Sequence, residues 1–240
     1  ITIASHHEGI AKGLLLLALN QPVSEDESSL CLIHSVERGN ISALGLLLQK
    51  GISTDTRNNQ GFTACMFAAQ NGHADCLELL IAAGADVSAT SNQGATACMM
   101  AALNGHADCL GKLIDAGADV SAANNKGWTA CMDAAQGGHA ECLELLIAVN
   151  AKTVSATNIE GFTACRVAAQ KGRADYLGLL IEKGANVSAA NNQGATACML
   201  ATQNGHKDCL ELLIAAGADV SEKMTIGATA CMLAAQNGHA

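Results

Sequence analysis

The chain has few of the residues that stiffen loops, fill large cores or attract phosphate. One proline, five aromatics (Phe62, Phe67, Phe162, Trp128 and Tyr176) and 13 Lys and Arg against 22 Asp and Glu stand among 240 residues, for a formal charge of −9. Nucleic-acid affinity is assembled from many Lys and Arg contacts that release counterions, so this composition argues against a nucleic-acid partner. The longest purely apolar run, Leu14 to Leu19, is far short of the roughly 20 residues a membrane-spanning helix needs. No membrane insertion is expected, and no cleavable signal peptide is visible. Half of the residues are nevertheless apolar. With so few rings, Ala and Leu must supply most of the buried surface, which implies closely packed small helices. No polar linker offers a place to divide the chain, so one continuous architecture over 1–240 is the simplest expectation.

What is present in abundance is self-similarity. Gly61, Gly94, Gly127, Gly161, Gly194 and Gly227 each open a near-copy of one segment, at intervals of 33, 33, 34, 33 and 33. The copy from Gly61 reads GFTACMFAAQNGHADCLELLIAAGADVSA, and that from Gly94 reads GATACMMAALNGHADCLGKLIDAGADVSA. Full units are assigned to 61–93, 94–126, 127–160, 161–193 and 194–226, with a truncated unit at 227–240. A degenerate unit precedes them at 28–60, and the Leu14 to Leu17 run followed by Pro22-Val23-Ser24 marks a partial unit within 1–27.

Each unit reads physically as two short helices and a turn. Thr63, Thr96, Thr129, Thr163, Thr196 and Thr229 stand just before an Ala-Cys-(Met/Arg) segment, where a side-chain oxygen caps the free N–H groups of a helix start. The first helix stops at a pair such as Asn71-Gly72, where glycine accepts the left-handed conformation. A second helix is expected from about Ala74 to Ala83, ending at Gly84. The remaining Ala-Asp-Val-Ser-Ala-x-x-Asn-x-Gly is turn-rich, as a hairpin between units would be.

This pattern resembles the ankyrin repeat. That family's unit reads G-x-T-P-L-H-x-A-A-x-x-G-H, then an apolar helix with L-L, then G-A-D-V-N-A; here G-x-T, A-A, G-H, L-L and G-A-D-V stand, while Pro-Leu-His becomes Ala-Cys-Met. The resemblance covers 28–240, and 1–27 more weakly. It implies an all-α repeat solenoid of stacked antiparallel helix pairs joined by projecting β-hairpin loops. It also implies a scaffold that binds proteins, with the hairpin tips and exposed face of the first helix forming a concave contact surface. Replacing the family's His by Met66, Met99, Met132, Met199 and Met232, or by Arg166, removes a side chain that hydrogen-bonds between neighbouring turns. The unit from Gly127 carries an extra residue near Thr153 and Asn150 in place of a capping glycine, so a local irregularity is expected there.

Candidate chemistry is sparse. The eleven cysteines fall mostly in two rows, one per helix, without the C-x-x-C pairs on which thiolate metal sites draw. Buried free thiols acting as small hydrophobes are the better reading, and they place the chain in a reducing, cytoplasmic compartment. His73, His106, His139 and His206 each precede a cysteine by three residues; the turn between helices, not a metal, is their expected setting. No phosphate loop, nucleophile motif or exceptional acid pair is present. No cofactor, metal or catalytic residue is therefore expected, and the chain is read as not an enzyme.

Recognition should reside in what varies between units. The residue after each opening glycine is Phe62, Ala95, Trp128, Phe162, Ala195 or Ala228, so three of the five aromatics share one class of position. Rings on a rigid scaffold are favoured anchors for a partner. Around Phe62, Trp128 and Phe162 the expected contact residues are Gln60, Gln70, Asn71, Gln93, Asn104, Lys126, Asp133, Gln136, Glu160, Lys171, Gln193 and Asn204. This is an amide-rich, sparsely charged surface suited to a protein partner. Lys126, Arg166, Lys171 and Arg173 form its one basic zone, for which an acidic or mixed segment is the expected partner. A subunit role in a large complex, or a regulatory arm of a longer protein, is the alternative. The acidic stretch Ser24-Glu25-Asp26-Glu27-Ser28 is expected to be a solvated loop.

Overall fold

The computed structural model describes residues 24–239. By their internal contacts they fall into two compact units, one ending at Asp119 and the other beginning at Val120, both built from the same helix pair. The first holds α1 (Glu25–Glu37), α2 (Ile41–Gln49), α3 (Ala64–Asn71), α4 (Ala74–Ala82), α5 (Ala97–Asn104) and α6 (Ala107–Asp115). Helices α1, α3 and α5 pack side by side as one layer, and α2, α4 and α6 form the other. The second unit holds α7 (Ala130–Gly137), α8 (Ala140–Val149), a 3-10 turn (Ala151–Ser155), α9 (Ala164–Lys171), α10 (Ala174–Glu182), α11 (Ala197–Gln203), α12 (Lys207–Ala215) and α13 (Ala230–Asn237). Its layers are α7, α9, α11 and α13 against α8, α10 and α12.

The helices form where local chemistry starts and stops them. Each threonine accepts a hydrogen bond from the backbone N–H three residues on: Thr63 from Met66 at 3.5 Å, Thr129 from Met132 at 3.4 Å and Thr163 from Arg166 at 3.3 Å. Helix α3 ends at Gly72, whose φ of 74° lies in the left-handed region. A Cβ there would also meet the His106 ring at 2.5 Å. Small side chains let the first helices approach closely: Ala64, Ala68 and Ala69 are each wholly buried. The second helices contribute leucines such as Leu77, Leu80, Leu110 and Leu113, also wholly buried. Ten cysteines are buried thiols outside any disulfide, and Cys231 is exposed. Burial pushes the thiols of Cys65, Cys98, Cys131 and Cys165 up to about 12, so they remain protonated and apolar in character.

Two features differ from the sequence reading, and a third, expected one takes a definite form. The acidic stretch from Ser24 opens α1 and is not a loop. Ser24 Oγ accepts from Glu27 N–H at 3.2 Å, and the Glu27 carboxylate accepts from Ser24 N–H at 3.3 Å. This is a capping box, and acidic residues in a first turn also complement the helix dipole. The linking hairpins are tight turns carrying no strand among the described residues, with single antiparallel bridges at Arg57 and Thr63 and at Ala123 and Thr129. The irregularity after α8 takes the form of the 3-10 turn. Asn150 Oδ1 accepts from Lys152 N–H at 3.1 Å, and Val154 turns inward to 3 % exposure. The Leu14 to Leu17 segment and all but the end of the partial unit at 1–27 lie outside the described residues.

Candidate functional site

The turns between units are locked by an asparagine that sequence reasoning passed over. Asn58 Oδ1 accepts from the N–H groups of Gln60 and Phe62, both at 2.9 Å. Asn124 does the same for Lys126 and Trp128, Asn158 for Glu160 and Phe162, and Asn191 for Gln193 and Ala195. Short polar side chains that bond to the backbone two and four residues ahead fix a turn without strands. The Asn three residues before Gly61, Gly127, Gly161 and Gly194 was the available signal, with Ser91 in that place before Gly94.

Neighbouring turns are then joined through their backbones. Gln60 C=O accepts from Asn92 N–H at 3.0 Å, and Lys126 C=O accepts from Ile159 N–H at 3.1 Å. Likewise Glu160 C=O accepts from Asn192 N–H at 3.2 Å, and Gln193 C=O from Thr225 N–H at 2.9 Å. The backbone of each tip is thus held while the side chains of Gln60, Lys126, Glu160 and Gln193 remain exposed. A turn held in this way has little backbone freedom left to lose on contact.

The three aromatics are half-buried, and each is held by a residue of the helix it precedes. The Phe62 ring lies 5.6 Å from that of Phe67. Trp128 Nε1–H donates to Asp133 Oδ1 at 2.6 Å. The Phe162 ring is capped by the Arg166 guanidinium, whose Cζ is 4.2 Å from the ring centroid, a cation–π contact. In the first unit Phe62 lines an open recess of about 350 Å³ together with Asn59, Gln60, Asn92 and Gln93. Asp133 differs from the other expected contact residues, because it is only 7 % exposed and serves as the hydrogen-bond acceptor for Trp128. Its burial pushes the carboxyl up to about 7, against the smaller opposing effect of the Trp128 bond.

The remaining expected residues lie at the ends of the first helices. Gln70, Asn71, Asn104, Gln136, Lys171 and Asn204 are exposed. Two of the amides are partly engaged: Asn104 Nδ2 donates to Met100 C=O and Asn204 Nδ2 to Leu200 C=O, each at 2.8 Å. The histidines after these helices serve the stack. His106 Nε2–H donates to Gln70 C=O at 3.1 Å and His206 Nε2–H to Gln170 C=O at 3.1 Å, each ring lying over the glycine that ends the earlier helix. Among the described residues no three His, Cys, Asp or Glu converge as metal ligands. None of the described helices is long and apolar enough to cross a membrane.

Comparison with known proteins agrees with this architecture. The family model for ankyrin repeats, in its three-copy form, matches residues 1–91, 75–158, 98–191, 151–224 and 180–240. The human ASB11 ankyrin repeat domain is similar with a TM-score of 0.77 at 26% identity, covering 85% of this chain and 90% of that one. The ankyrin repeat domain of Bcl-3, a member of the IkappaB protein family, gives 0.72 at 29% identity, with 84% and 92% covered. A chain from the complex of the predatory endopeptidase Bd0816 of Bdellovibrio bacteriovorus with the immunity protein Bd3460 gives 0.70 at 30% identity, with 77% and 96% covered. No curated protein sequence matches significantly. Matched along its whole length, the chain belongs to the ankyrin repeat family, whose members are generally protein–protein interaction modules and typically non-catalytic.

Proposed function

We propose that the chain is a non-catalytic scaffold that binds a protein partner through its turn tips and the exposed ends of its first helices. Phe62, Trp128 and Phe162 serve as anchors. Gln60, Gln70, Asn71, Gln93, Asn104, Lys126, Gln136, Glu160, Lys171, Gln193 and Asn204 supply hydrogen bonds around them. Asp133 acts from beneath, by orienting the Trp128 indole. The observation that carries this reading is that, within each compact unit, neighbouring turns are bonded to one another through their backbones while their side chains stay exposed. A preformed surface loses little conformational freedom on binding, and half-buried rings have most of their own freedom already removed. The buried free thiols favour a reducing, cytoplasmic setting. Affinity capture from the native cell, comparing the intact chain with a Phe62→Ala, Trp128→Ala, Phe162→Ala variant whose fold is verified by circular dichroism, tests the reading. A partner held by the intact chain and lost by the variant supports it; identical captured sets refute it.

A further inference from the structure

Among the described residues four buried side-chain atoms have no hydrogen-bond partner, and three of them belong to one helix pair: Nε and Nη2 of Arg166 on α9 and the hydroxyl of Tyr176 on α10. Both residues depart from the repeat. Arg166 stands where the sibling helices carry Met66, Met99, Met132, Met199 and Met232, and Tyr176 where they carry Cys76, Cys109, Cys142 and Cys209. Methionine and cysteine fill such places without asking for a strong hydrogen bond. Arg166 is 0% exposed and Tyr176 6%, so water does not supply what the chain withholds. One guanidinium nitrogen is met, since Nη1 donates to Gly161 C=O at 2.8 Å, and the Phe162 ring lies on one face. Burial lowers the Arg166 pKa to about 10, which leaves it a cation at neutral pH.

In a stack of similar helix pairs, stability is close to a sum of terms for each pair and for each contact between neighbours, so a penalty confined to one pair lowers the cost of opening that pair in particular. In the closed pair the two Arg166 donors and the Tyr176 hydroxyl have given up water for nothing; opening returns it to them. Two further observations fall at the same place. The pair is entered through the 3-10 turn, where Asn150 replaces the glycine that follows the second helix elsewhere, as Gly84, Gly117, Gly184 and Gly217 do. Helix α10 also packs more sparsely against α8 than against α12. We infer that the second compact unit opens first at the α9–α10 pair, through a minor state in which these two helices have detached and hydrated while α7 and α8 are still folded. The closed pair remains the dominant state. Phe162 stands immediately before α9 and exposed Lys171 ends it, so opening removes one ring and one cation from the surface together. The inference does not depend on what the chain binds.

The test is native-state hydrogen exchange of the whole chain, read peptide by peptide in a mass spectrometer at rising urea below the unfolding transition, for the unaltered chain, Y176F and R166M/Y176F. R166M installs the residue that the sibling helices carry, and Y176F deletes only the hydroxyl, so the packing is kept; circular dichroism verifies the fold. In the unaltered chain the amides of α9 and α10 should exchange at least about tenfold faster than those of α7 and α8, once corrected for intrinsic rates, and with a weaker dependence on urea, the mark of an opening smaller than global unfolding. R166M/Y176F should slow α9 and α10 at least about tenfold, because the groups that gained from hydration are gone. Y176F alone should give part of that slowing, which keeps the test decisive if R166M fails to fold. Exchange of α9 and α10 as slow as that of α7 and α8, with the same urea dependence, overturns the inference. So does fast exchange in α9 and α10 that neither variant slows, because the opening would then owe nothing to the unmet groups.

Discussion

Replacing Asp133 by Asn isolates the cost of burying a charge beneath Trp128. Asn keeps an oxygen for the Trp128 Nε1–H, so the 2.6 Å contact has an acceptor in both proteins. In the folded chain the Asp133 carboxyl is raised from 3.8 to about 7, chiefly by burial. The sign follows from proton counting. Between about pH 4 and pH 7 the native state holds a proton that the unfolded chain has released, so this group lowers stability as pH rises through that window and has no further effect above it. At about 1.4 kcal/mol per pH unit, the full cost above pH 7 is roughly 4 kcal/mol. D133N should therefore match the unaltered chain near pH 4 and exceed its stability by an amount growing to as much as about 4 kcal/mol at pH 8. Trp128 is the single tryptophan, so its fluorescence in urea titrations at pH 4.5, 6 and 8 reads the unit in which the change lies. The same signal, followed in the native state, should show a pH transition with a midpoint near 7 that D133N lacks. A stability difference that is constant with pH, or a transition surviving in D133N, would refute the reasoning.

Other consequences are as direct. Gly72→Ala combines a φ of 74° with a clash at the His106 ring, whereas Gly84→Ala, with φ 88° and open space around it, carries only the backbone strain. The first should cost about 2–3 kcal/mol in urea unfolding and the second about 1–2. His106→Ala, which removes the bond to Gln70 C=O, should cost about 1 kcal/mol. Native-state labelling with iodoacetamide should modify Cys231 quickly and the ten buried cysteines only after unfolding; peptide mapping that finds Cys65 or Cys98 labelled at a comparable rate would contradict the packing.

Much of the fold could be read from the repeat because its signals are local. The threonine caps, the glycine stops and the apolar stretch of the second helix each act within a few residues, and each is realised. The acidic opening of α1 reads as a solvated loop by its composition, whereas the Ser24 and Glu27 pairing, a shorter-range signal, starts a helix there. What escaped the sequence were bonds between units. The His106 contact to Gln70 C=O and the Asn92 contact to Gln60 C=O depend on how one copy lies on the next, and no window within one unit contains both partners. The proposed contact residues form a class of positions in the sequence, yet the distinction between Asp133, buried under Trp128, and exposed Lys126 or Glu160 required the packing. Position alone gave Arg166 a place in a basic zone; its wholly buried guanidinium with an unmet edge became visible only in three dimensions.

The central claim is that the aromatic anchors carry partner binding. It is tested most directly by calorimetric titration of the captured partner into the intact chain and into the Phe62→Ala, Trp128→Ala, Phe162→Ala variant. Loss of two or more anchors of about 2 kcal/mol each should raise Kd by at least about a hundredfold. A Kd unchanged within about twofold, with the variant folded, would show that the rings serve only the packing of their own turns.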